Sequence, residues 1–73
     1  MTAFDKGTNV EWNWGSGTAQ GEVVEIYTEK VTLTIKGTEI TRNADEDNPA
    51  YKIEQDNGNH VLKSESELHP VSA

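Results

Sequence analysis

Val31-Thr32-Leu33-Thr34-Ile35-Lys36-Gly37-Thr38-Glu39-Ile40-Thr41-Arg42 decides the fold class. Val31, Leu33 and Ile35 alternate with Thr32 and Thr34, the period-2 pattern of a strand with one buried face. Lys36-Gly37 is a two-residue turn, with Gly supplying the positive φ. Pairing across it sets Ile35 opposite Thr38, Leu33 opposite Ile40 and Val31 opposite Arg42. The Leu33–Ile40 pair supports that register because both side chains then share the core face.

Upstream, Val10, Trp12 and Trp14 alternate with Glu11 and Asn13, so the pattern predicts a strand over Asn9 to Trp14. Gly15-Ser16-Gly17 ends it, and Gly17 to Gln20 reads as loop. From Gly21 the pattern resumes, with Val24 and Ile26 on one face and Val23 and Tyr27 on the other. Apolar residues on both faces suggest a long, bent strand that changes partners. Before these elements lies a leader, Met1 to Lys6, whose Phe4 is its one large apolar residue and can dock on the body.

Downstream, Arg42-Asn43-Ala44-Asp45-Glu46-Asp47-Asn48-Pro49-Ala50-Tyr51 is the longest turn-rich segment. Pro49 biases Asn48 away from helix, and Asp47 is expected to cap this turn through its side chain. Tyr51 and Ile53 then alternate with Lys52 and Glu54 in a strand over Tyr51 to Gln55. Asn57-Gly58 is a strong hairpin signal, and as a two-residue turn it sets Ile53 opposite Leu62, Glu54 opposite Val61 and Lys52 opposite Lys63. Ser64-Glu65-Ser66-Glu67 predicts a single helical or 3₁₀ turn capped by Ser64, with Leu68 as its core anchor. His69-Pro70-Val71 reads as a short closing strand or a tail.

Seventy-three residues make one domain. A chain this short buries only about 60% of the surface its unfolded form exposes, so its margin is thin. With no Cys, neither a disulfide nor a thiolate metal site can help. Short strands and tight turns predict an all-β fold: a small five- to six-stranded SH3-like or Tudor-like barrel over residues 7–69, with at most one short helical turn near the C-terminus. Closure of such a barrel removes edges that would invite aggregation. An OB-fold is the alternative, though it usually needs more residues and a longer helix. Residues 1–6 are the expected leader and 70–73 the expected tail.

Six basic against 13 acidic residues give a formal charge of −7. That charge opposes nucleic acid, whose affinity comes largely from Lys and Arg neutralising phosphates, and it opposes an anionic membrane surface. It favours a basic partner. The first twenty residues are polar and Gly-rich and show no signal-peptide core, and no apolar run approaches the ~20 residues that span a bilayer. The expectation is an acidic, cytoplasmic monomer.

Several stretches together resemble one family: Phe4-x-x-Gly7-x-x-Val10-x-Trp12-x-Trp14-Gly15, Gly21-x-Val23, Thr34-Ile35-Lys36-Gly37-Thr38 and Thr41-Arg42-Asn43-Ala44. The series continues with Asp47-Asn48-Pro49-Ala50-Tyr51, Asn57-Gly58, Val61-Leu62-Lys63-Ser64 and Ser66-Glu67-Leu68. In order and spacing they are similar to the hypervirulence-associated protein TUDOR domain, a small bacterial and fungal family. The likeness runs from about Phe4 to Leu68. It implies a Tudor-like, SH3-like barrel. It implies no activity and carries over no catalytic residues, because the family has no established biochemical function. Leu33 stands where relatives are expected to carry a polar or basic residue.

Tudor barrels often hold methylated Lys or Arg in an aromatic cage. Here Trp14, Tyr27 and Tyr51, converging near Asp45 and Asp47, would make an acidic aromatic site for a cation. Trp12 shares a face with Val10 and reads as core. The competing reading is that so small a barrel needs its aromatics for packing. Asp45, Glu46 and Asp47 lack the central Gly and terminal bidentate Glu of an EF-hand loop, and Arg42 is a candidate partner for Asp45 or Asp47. His60 and His69 are too few for zinc without Cys. No nucleophile–base motif or phosphate loop is present, so neither metal, cofactor nor enzymatic activity is expected.

The residues therefore point to a non-enzymatic interaction module for a basic or extended peptide. The alternatives are a nucleic-acid-binding barrel, which would need a basic stripe from Lys30, Lys36, Lys52 and Lys63, and a self-associating structural or stress accessory protein.

Overall fold

The computed structural model describes residues 4–71. Its strands are β1 Asn9–Trp14, β2 Gly17–Tyr27, β3 Val31–Ile35, β4 Thr38–Arg42, β5 Ala50–Glu54, β6 His60–Ser64 and β7 His69–Pro70, with a 3₁₀ turn at Glu65–Glu67. A five-stranded sheet runs in the order β6-β5-β2-β1-β7, and β3-β4 form a separate two-stranded sheet. Every pairing is antiparallel. This is the all-β, Tudor-like barrel expected from the sequence, with seven strands where five or six were expected, the two-residue β7 being the addition. Residues 1–3 of the expected leader and 72–73 of the expected tail lie outside the described residues.

The β3–β4 hairpin has the register its alternation predicts: Leu33 opposite Ile40 and Val31 opposite Arg42. Lys36 and Gly37 both have positive φ, 52° and 76°, as a type I′ turn requires. On the outer face Thr32 Oγ1 and Thr41 Oγ1 lie 2.9 Å apart. The hairpin packs against β6.

Three local expectations are corrected. Gly17 to Gln20 is strand, not loop: Trp14 pairs with Gly17 directly, and Gly15-Ser16 alone makes the turn. Gly15 takes a φ of 58° there, at the first turn position, where glycine suits a type II′ hairpin.

β2 does change partners, pairing with β1 through Glu22 and with β5 from Glu22 onward. The change is accompanied by a bulge between Val23 and Glu25. An extra residue in one strand resets its alternation. Val23 and Ile26 therefore share the rungs of Ile53 and Tyr51 on the core side, where plain alternation had grouped Val24 with Ile26.

The β5–β6 register is one residue off the two-residue-turn reading. Ile53 pairs with Val61 and Lys52 with Leu62. Gln55 N donates to Asn59 O at 2.7 Å and Gly58 N to Gln55 O at 2.9 Å. The loop is thus Asp56-Asn57-Gly58, with Gly58 at a φ of 83° in the left-handed position of a three-residue hairpin. Asn57 Oδ1 braces it by accepting Asn59 N at 3.0 Å. The shift places Lys52 and Lys63 on opposite faces of the sheet.

The core joins Phe4, Val10, Trp12, Val23, Tyr51, Ile53 and Leu68, with Ala19, Ile26 and Val61 packed at its margin. Phe4 is core although it precedes Gly7. Its ring meets Tyr51 edge-on, centroids 5.5 Å apart. Leu62 is buried outside this cluster, on the face of β6 opposite Val61. At the other terminus Leu68 is buried, Pro70 pairs with Val10, and Val71 N donates to Asn9 O at 3.2 Å.

Candidate functional site

The β2–β5 ladder stops at its Glu22–Glu54 rung. Beyond it the β1–β2 hairpin runs on to Gly15-Ser16, while β5 turns at Asp56 toward β6. The two hairpin tips therefore part, and a cleft opens between them.

On the core side the cleft is a groove of about 290 Å³. Its walls are Trp12, Trp14 and Ala19 from one hairpin, and Gln55, Asn57, Asn59, Val61 and Lys63 from the other. Alternation puts Trp12 and Trp14 on the same face of β1. The fold covers Trp12 and leaves Trp14 73% exposed, the one large hydrophobic side chain so placed among the described residues. An indole rim, planar amides and one ammonium line the groove. That set can stack on a flat or apolar group and hydrogen-bond a backbone.

On the outer side the cleft broadens to about 580 Å³, with Gln20, Glu22, Glu54, Gln55 and Asp56 in its lining. Glu22 and Asp56 have no basic side chain within ion-pair distance among the described residues. Glu54 lies 3.5 Å from His60 Nε2. This wall is negative, as the net charge of the chain foreshadows.

The five residues singled out from the sequence are not brought together. Trp14 faces Gly17 at one end of β2, and Tyr27 closes the other end, on the order of 30 Å of strand away. Tyr27 is half-buried and lines a shallow depression with Glu29, Lys30 and Val31. Tyr51 is fully buried, and its hydroxyl donates to Glu65 Oε1 at 2.9 Å. It is a structural residue with no face open to a ligand. Asp45 and Asp47 are exposed in the loop before β5, at the Ala50 end of that strand, away from Trp14. Of the five, only Trp14 belongs to the cleft.

The acidic loop is organised differently from expectation. Asp45, not Asp47, is its cap: Asp45 Oδ1 accepts Asp47 N at 2.9 Å and Asn48 N at 2.7 Å. Arg42 pairs with neither aspartate and instead sets Nε 3.4 Å from Glu67 Oε1. Lys63 reaches the other Glu67 oxygen at 3.6 Å. Glu67 Oε1 also accepts Ser64 N at 3.1 Å, the returning arm of a capping box. Ser66 N donates to Asn48 Oδ1 at 3.3 Å and Glu65 N to Pro49 O at 2.8 Å. The loop is thus tied to the 3₁₀ turn. Among the described residues no three His, Asp or Glu side chains converge as a metal site, and no helix is long and apolar enough to cross a membrane.

Ala19, Gln20, Glu22, Gln55, Asn59 and Val61 were not singled out as site residues. One signal was available for the first two: Trp14-Gly15-Ser16-Gly17 permits a two-residue hairpin, which would have continued β2 back through Ala19 and Gln20.

No curated protein and no solved structure matches the chain. A family model described as hypervirulence associated proteins TUDOR domain matches residues 7–68, from the glycine before β1 to the buried Leu68. With nearly the whole barrel inside that match, the chain belongs to the hypervirulence-associated protein TUDOR domain family.

Proposed function

We propose that this domain is a non-enzymatic, monomeric interaction module of the cytoplasm that binds a basic, extended segment of another protein in the cleft beside Trp14. The observation that carries the reading is Trp14, held at the rim of a groove while its neighbour two residues earlier is buried. A barrel built for stability alone gains little from an indole left mostly in water, whereas exposed aromatics beside a concave surface are frequent binding anchors. The net charge of −7 and the acids on the outer wall select a basic partner.

The test is an amide chemical-shift titration of the labelled protein with pools of basic peptides, with and without Lys and Arg methylation, and a short oligonucleotide as control. The expected result is localised shifts at Trp14, Ala19, Gln55, Asn59 and Val61 with the peptides, abolished by Trp14→Ala in a protein that stays folded. Shifts from the oligonucleotide alone, or none from any peptide, overturn the reading.

A further inference from the structure

The edge of β2 at Gly17–Gln20 faces the cleft, and its second hydrogen-bonding side has no backbone partner among the described residues. Those residues pair with β1 on one side, and on the other the ladder to β5 begins only at Glu22. Had β5 continued straight past Glu54 it would have paired with them. It turns away at Asp56 to meet β6, and the track it leaves is the cleft.

Sheet edges are ordinarily blunted with lysine, proline, a bulge or a covering segment. Two other stretches of edge in this sheet are covered. β7 lies along β1 at Val10 and Glu11 and brings Pro70, and the β3–β4 hairpin lies against β6. Gly17-Thr18-Ala19-Gln20 holds no lysine, proline or bulge, and no strand among the described residues covers it. Its two inward positions, Gly17 and Ala19, are also too small to screen the backbone.

We propose that this edge takes a short extended peptide as an added antiparallel strand, in the track vacated by β5, with side chains alternating basic, apolar, basic. The proposal rests on the peptide-binding reading above and specifies how the peptide is held and which peptides fit. Main-chain hydrogen bonds to a sheet edge supply affinity without sequence, and the pockets for alternate side chains supply specificity. A residue opposite Ala19 points inward, toward the Trp14 indole and Val61. The groove holds no acid to receive a cation, its one ammonium, Lys63, is already paired with Glu67, and Trp12, Trp14, Ala19 and Val61 give the position to an apolar side chain. A residue opposite Gln20 points outward beside Glu22, Glu54 and Asp56, where a basic side chain finds the acids, and one opposite Thr18 points the same way, two residues farther along the edge.

The experiment compares three capped peptides on the labelled protein: arginine alternating with valine, the same composition in blocks, and the alternating peptide with its backbone N-methylated at every second residue. The alternating peptide is expected to shift the amides of Gly17–Gln20 and the Trp14 indole, and the N-methylated and block forms to bind at least about tenfold more weakly. Glu22→Gln and Glu54→Gln are each expected to weaken it about threefold, as single solvent-exposed charges do. If the N-methylated peptide binds equally well, strand addition is overturned while the peptide-binding reading stands. If no basic peptide binds at all, both fall. A dimer of the protein alone by sedimentation, with Gly17–Gln20 shifts that grow with concentration, assigns the edge to a second copy and overturns the proposal.

Discussion

Glu22 and Glu54 stand directly opposite each other on the last rung that joins β2 to β5. Like charges across a rung oppose pairing, and here they sit where the sheet divides into two diverging hairpins. Neutralising one should strengthen that rung. Glu22→Gln, which spares the Glu54–His60 contact, is expected to raise stability by about 0.2–1 kcal/mol at low salt. The gain should shrink as salt screens the repulsion. Urea melts at two ionic strengths check this, and a destabilised variant would show that the pair is held apart or bridged.

Gly21 lies one residue before that rung and is buried. A Cβ there would run into Ile53 Cγ2 and come within 2.7 Å of Glu54 O. Part of that obstacle is backbone, so it cannot rotate away. Gly21→Ala should cost about 1–3 kcal/mol, as overpacking in a filled interior does. Gly17→Ala, with nothing within 4 Å of its added carbon, should stay within about 0.5 kcal/mol of the parent. Thermal melts of the two side by side separate close packing from a general dislike of side chains in β2.

Tyr51 ties the N-terminal segment to the 3₁₀ turn, accepting Phe4 N at 3.4 Å and donating to Glu65 Oε1 at 2.9 Å. Tyr51→Phe keeps the ring and its edge-on contact with Phe4 and removes the hydroxyl. A loss of about 0.5–1.5 kcal/mol is expected, with the fold retained. Tyr51→Ala removes the ring as well and should cost about 3–5 kcal/mol, enough to unfold much of a domain this small. An unchanged Tyr51→Phe melting curve would mean that water replaces the hydroxyl's partners without loss.

Asp45 and Asp47 are adjacent acids with different work. Asp45→Ala strips the acceptor from two loop amides and should cost about 1 kcal/mol, while Asp47→Ala, whose side chain bonds to none of the described residues, should be near neutral. Amide exchange at Asp47 and Asn48 should quicken only in the first. Equal effects would place the cap elsewhere.

Trp12→Ala and Trp14→Ala should divide as sharply. The first empties the core and is expected to cost about 3–5 kcal/mol. The second removes a side chain that is 73% exposed and should change stability by less than about 0.5 kcal/mol. In the parent protein, an aqueous quencher should reach only the Trp14 component of the fluorescence.

By itself the sequence determined the all-β class, the two-residue hairpin of β3 and β4 with its register, the span of β1, the interior place of Trp12 and the family. These follow from periodicity, turn chemistry and motif order, which act over neighbouring residues. Only the tertiary structure decided the rest. Gly17–Gln20 is small and polar, with little strand preference of its own, and becomes strand because β1 pairs with it. Asn57-Gly58 fits a two-residue or a three-residue turn, and the choice of the longer one moved every partner of β6 by one. Alternation showed that Trp12 and Trp14 share a face, but not that the core would end between them. Tyr51 followed an acidic loop and so looked like a rim residue, yet the N-terminal segment folds back to bury it. Exposure depends on what other segments cover, and residues distant in the chain supply that cover.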